Sequence, residues 1–203
     1  RCRMGREAEL GFVIRNHAKL KLALGDAWLC LEGRYSPKCR ERGRRLGDSK
    51  PPAGIPRLRE WHAEGVEFKF HPFSRGVEWE ELETEARELV GAWGEVYLTV
   101  EAARLGRLCV SFAHYPAPRR LIRSSSFPRN LALACRDKIK RGGCLRPLGD
   151  YPRAGLMRAL PCLLGLTPGG VAEAGRFLPG APDKPSRPES WETIYTKWWS
   201  CYA

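Results

Sequence analysis

Cysteine and histidine are the side chains whose spacing would announce chemistry, and this 203-residue chain has eight of the first and four of the second. Thiol redox work needs an activated thiolate and, as a rule, a second thiol two residues on, but no Cys-x-x-Cys pair occurs. Structural zinc takes ligands two to four residues apart on tight turns. Cys30 with Cys39 and Cys135 with Cys144 each have eight residues between them, so no metal is expected. Leu166 to Gly170 lacks the Lys-Ser or Lys-Thr ending of a phosphate-cradling loop. With no regular cysteine spacing, reduced thiols are the expectation, and no catalytic residue, cofactor or small-molecule substrate is predicted.

Cations are the other candidates. Thirty-five Lys and Arg against 23 acids give a net charge of +12, which draws polyanions through a sequence-independent attraction. Arg40, Arg42, Arg44 and Arg45 form a dense run that leads toward Pro51-Pro52 and reads as a solvated basic loop. Arg119, Arg120, Arg123 and Arg129 lie beside Tyr115 and Phe127 with three serines between. That mixture offers forked phosphate donors and stacking surfaces for unpaired bases. Arg75 opens the first predicted helix of the middle region, and Lys138, Lys140 and Arg141 close its last. These twelve residues are the candidate RNA contacts. Trp191, Trp198 and Trp199, in an otherwise polar tail, are candidates for docking on this chain or on a partner.

The elements expected to carry these groups fall into three regions. Residues 1–65 read as a basic extension, with fifteen Lys and Arg against eight acids. In it Phe12-Val13-Ile14 and Trp28 to Leu31 are short apolar runs that suit either strand or helix. Residues 66–143 read as one domain. Val66, Phe68 and Phe70 alternate with polar residues as in a strand, and Pro72 ends the ladder. Ser74 suits an N-cap, and Trp79, Leu82, Ala86, Leu89 and Trp93 give a helical stripe that Gly91 and Gly94 stop. Alternation returns at Val96, Leu98 and Val100 and at Leu108, Val110 and Phe112, with Leu121-Ile122 as a further strand. Pro128 starts a last helix ending at Gly142-Gly143. The expected order is β-α-β-β-β-α, a mixed sheet with helices on it. Acids dominate its first half and cations its second: three basic and nine acidic residues over 66–101, ten and one over 102–143. Residues 144–203 read as a second extension, with a helix broken at Pro161, another from Thr167-Pro168 to Phe177, and a Pro-rich linker before the tryptophans.

The run Val66 to Phe70, the helix opening at Ser74-Arg75-Gly76-Val77, and Val96 to Val100 resemble the thioredoxin-like family shared by two mitochondrial ribosomal proteins and a small accessory subunit of respiratory complex I. Lys184 to Thr193, with a Pro-Ser pair before a Trp, is similar to the tail of its large-ribosomal-subunit branch. This chain has His71-Pro72-Phe73 where that family has a Cys and paired glycines, and Pro116-Ala117-Pro118 where it has an Asn-Gly turn. The resemblance implies an α/β thioredoxin-like fold and a structural protein of the mitochondrial large ribosomal subunit. Its partners would be ribosomal RNA and neighbouring ribosomal proteins. It also implies a mitochondrial matrix location, and a first residue that is Arg rather than Met would fit removal of a targeting peptide. The competing expectations are an accessory subunit of complex I, a free-standing RNA-binding regulator, and a thiol oxidoreductase, which the missing thiol pair disfavours. No apolar run approaches the roughly 20 residues that span a bilayer.

Overall fold

A 29-residue helix, α1 (Arg3–Leu31), absorbs both of the short apolar runs of the N-terminal region. Its buried positions Ala18, Lys21, Gly25 and Leu29 recur every three or four residues, the spacing of one helical face. Gly33 ends it. With φ +68 it occupies the left-handed region, while its N–H bonds the Cys30 carbonyl and the Arg34 N–H reaches back to Leu29. That paired closure satisfies carbonyls which the helix end would leave orphaned. The computed structural model describes residues 3–72, 76, 78–106, 108–109, 111–114, 127–129, 131–132, 135–136, 154–178 and 188–200.

Three further helices pack with α1: α2 (Cys39–Gly47), α3 (Leu58–Phe70) and α4 (Trp79–Leu105). They belong to a first compact unit, residues 1–109, and a second spans 110–203. The boundary expected at 65/66 falls inside α3.

The expected α/β thioredoxin-like sheet is not present among the described residues. Every regular element among the described residues is helical, so the order β-α-β-β-β-α is replaced by an all-α architecture. Val66 to Phe70 is the last part of α3, and Val96 to Val100 lies within α4. Leu108 and Cys109 have no regular structure, and Phe112–His114 is a single 3-10 turn. The helix expected from Ser74 exists but begins at Trp79, with an extended Glu78 before it. Gly91 and Gly94 lie inside it, and it runs on to Gly106, whose φ of +65 closes it. Ser74, Val110 and Leu121-Ile122 lie outside the described residues.

Packing explains the outcome. Leu24, Leu29, Leu46, Ile55, Leu58, Trp61, Leu89, Ala92 and Val96 make one core, with Leu29, Leu58 and Leu89 fully enclosed. Truncating any of these leucines to Ala would cost about 2–5 kcal/mol. α3 buries Leu58, Trp61, His62 and Gly65, a stripe at 3.6-residue spacing. At Gly65 the helix comes so close to α1 that an added Cβ would lie 2.8 Å from the Ala18 carbonyl oxygen. Such an approach suits two rods, and burial of that face outweighs the local strand preference of Val66, Phe68 and Phe70.

In the second unit, α5 (Ala154–Leu163), α6 (Gly170–Ala174) and α7 (Pro188–Ser200) contribute to a separate core of Leu156, Ala159, Cys162, Ala174, Leu178, Trp191 and Trp198. Pro161, expected to break its helix, is buried within α5. Trp191 and Trp198 stand seven residues apart and share one face of α7. Residues 127–129, 131–132 and 135–136 are helical, where the last helix of the middle region was expected.

Candidate functional site

Arg42 is the most deeply buried of the predicted RNA contacts among the described residues. It lies on α2, not in a solvated loop, and is 5% exposed. Its Nε is 2.6 Å from Asp26 of α1, one terminal nitrogen donates to the Ser36 and Pro37 carbonyls, and the guanidinium covers the Tyr35 ring. His62 of α3 reaches the same Asp26 oxygen at 3.1 Å. One carboxylate thereby joins three helices, a fixing role that leaves Arg42 no reach toward a polyanion.

The neighbouring arginines are engaged to different degrees. Arg45 donates to the Arg34 and Tyr35 carbonyls and to Glu41, while Arg44 forks onto Glu41 from the surface. These two donors hold the Glu41 carboxyl at about 2, well below its ordinary 4.5. Arg40 lies over the exposed Phe70 ring at 4.9 Å. Elsewhere in this unit Arg57 pairs with Glu60 and Glu88, and Arg104 with Glu101. The helix surface is thus extensively self-neutralised.

Of the predicted contacts in the second unit, Arg129 is among the described residues. Phe127 is 46% exposed and Arg129, two residues on in the same helical stretch, is also exposed. Arg75, Arg119, Arg120, Arg123, Lys138, Lys140 and Arg141 lie outside the described residues. Of the tail tryptophans, Trp191 and Trp198 are core residues at 2% and 8% exposure, whereas Trp199 is half-exposed and stacked with Tyr195 at 6.1 Å. Burial drives the Tyr195 hydroxyl up to about 12.

Sequence reading missed a cleft of about 640 Å³ between α1, α3 and α4. His17 and Lys21 enter it from α1, Glu64 and Glu67 from α3, and Glu81 and Glu85 from α4. Ile14, Phe68 and Leu82, one from each helix, are among its apolar lining. The groups interlock: His17 Nδ1 is 2.7 Å from one Glu85 oxygen, and the Lys21 ammonium bridges the other to Glu64. The imidazole first and the ammonium second hold the Glu85 carboxyl down at about 2. A carboxylate so firmly ionised is a poor base but a fixed acceptor. The signal for this cleft was present as polar residues at helical spacing, His17 with Lys21 and Glu81 with Glu85, each four apart.

Among the described residues no group of three or more His, Cys, Asp or Glu is placed to hold a metal ion, and no helix is long and apolar enough to cross a membrane. The thiols of Cys30, Cys39, Cys135 and Cys162 are in no disulfide, and burial pushes the Cys162 thiol pKa above its ordinary value. Comparisons with protein-family models, curated proteins and solved structures give no match to this chain.

Proposed function

We propose that this chain is a non-catalytic RNA-binding protein whose contacts lie in the second unit and whose first unit is a helical scaffold. The partition of charge carries the reading. Residues 1–109 hold twenty Lys and Arg against seventeen acids, and residues 110–153 hold ten against two. In the first unit many cations are occupied by the protein's own carboxylates. The stretch from 110 to 153 is itself poor in acids, and the net charge of its own residues favours a polyanionic partner. Exposed Phe127 and exposed Arg129, on one helical stretch, add a stacking surface and a forked donor of the kinds that RNA-binding proteins use.

RNA is the partner this reading names. The narrower assignment to the mitochondrial large ribosomal subunit leaned on strands at 66–70 and 96–100, and those segments are helical. Its tail motif places Trp191 in a core, where it stabilises α7 instead of reaching a neighbour.

Two full-length variants test the proposal by filter binding to single-stranded RNA. Replacing Arg119, Arg120, Arg123 and Arg129 with Gln is expected to weaken binding at least about tenfold at low salt, since each removes a phosphate contact. Replacing Arg44 and Arg57, both paired on the first unit, is expected to leave it nearly unchanged. The reverse order of effects would overturn the assignment.

A further inference from the structure

We propose that Ser126 is a phosphorylation site for an arginine-directed serine kinase, and that its modification weakens RNA binding by the second unit. The consequence depends on the RNA reading, whereas the modification itself does not. Among the serines and threonines of the chain, two have an arginine three residues before them, Ser126 after Arg123 and Ser190 after Arg187. A kinase of this class grips that arginine with carboxylates, which match a guanidinium in charge and shape. The transfer then balances: the Ser126 hydroxyl oxygen forms an ester bond to the γ-phosphorus of ATP, the bond from that phosphorus to its bridging oxygen breaks, and ADP leaves. The hydroxyl proton passes to the catalytic aspartate of the kinase.

Sequence and structure together favour Ser126 over the other hydroxyls that follow arginine. Ser49 comes after the Arg44-Arg45 pair, but it is 2% exposed, and its hydroxyl donates to Glu32 while accepting from the Trp28 indole. It is closed to a kinase. Ser190 has the acidic Glu189 directly before it and lies in the first turn of α7, beside the core residue Trp191. Ser126 has Arg119 and Arg120 further upstream of Arg123, and no acid within ten residues on either side. It lies outside the described residues itself, but Phe127, Pro128 and Arg129, which follow it directly, are all exposed. A phosphoserine carries a charge of about −1.5 to −2 at neutral pH. Placed among Arg119, Arg120, Arg123 and Arg129, it offers these guanidiniums a rival partner and repels the backbone of an RNA.

The test uses the full chain, ATP and a purified calmodulin-dependent protein kinase, an enzyme that selects arginine three residues before the serine. Tandem mass spectrometry is expected to map one phosphate, on Ser126. Arg123→Gln should slow its incorporation at least about tenfold, because a charge-assisted contact to the kinase is lost. After complete phosphorylation, affinity for single-stranded RNA at low salt should fall at least about tenfold, since the phosphate offsets cations that contact RNA. Ser126→Ala should bind RNA as the unmodified wild type does and keep that affinity after kinase treatment. Phosphate found only on other residues, no incorporation, or incorporation indifferent to Arg123→Gln would overturn the site. Equal RNA affinity of the phosphorylated and unmodified chains would overturn its effect on binding. An unmodified chain with no RNA affinity would overturn the RNA reading and that effect with it, while mass spectrometry would still decide the site.

Discussion

At Glu85 and Arg42 the protein encloses charge, and each site has a measurable consequence. Glu85 titrates near 2 instead of 4.5, held down first by His17 and then by Lys21. A carboxylate lowered on folding contributes stability that is fully present above its unfolded value and disappears as pH falls through its folded one. Urea unfolding of the wild type and of Glu85→Gln at stepped pH should therefore converge between pH 4.5 and about 2. A difference that persists unchanged to pH 2 would mean that the carboxylate is not held as described. Arg42→Ala leaves Asp26 without its guanidinium in a nearly closed site, and should cost about 3 kcal/mol of unfolding free energy. Arg44→Ala, on a solvated and screened pair, should cost far less than Arg42→Ala in the same assay. Sequence alone could not separate the two, because Arg42 and Arg44 occupy one basic run. Only the packing of α2 directs one inward to Asp26 and the other to solvent.

Elements show where pattern reading succeeded and where it failed. The stripe from Trp79 to Trp93 was long enough to fix a helical period, and α4 follows it. Five-residue alternations at Val66–Phe70 and Val96–Val100 were too short to separate a strand from part of a helix, and β-branched and aromatic residues tipped the reading toward strand. The true stripe of α3 runs through His62 and Gly65, neither of which registers as apolar, so the helix was invisible to a count of hydrophobic positions. Gly91 provides a direct check. It is exposed within α4, and an added Cβ meets nothing within 4 Å, so Gly91→Ala should stabilise the protein by about 0.5–1 kcal/mol in chemical denaturation. If residues 91–95 formed a turn before a strand, the same change would be neutral or harmful. The cleft was illegible for a related reason: its six polar groups come from three helices, and two of those had been assigned elsewhere.

For the whole molecule, net charge was legible from composition but its distribution between paired and available cations was not. Pairing on the first unit and the scarcity of acids from 110 to 153 are the reason the proposed RNA contacts are put in the second unit. The tryptophans shift the other way, since Trp191 and Trp198 are interior and only Trp199 retains an exposed face. The decisive measurement is the salt dependence of affinity for a fluorescently labelled single-stranded RNA, read by anisotropy with the full-length protein. The account predicts that the logarithm of the binding constant falls linearly with the logarithm of salt, losing roughly 0.7 of slope for each phosphate contact removed when Arg119, Arg120 and Arg123 become Gln. Absence of binding at low salt, or an affinity indifferent to salt, would contradict it.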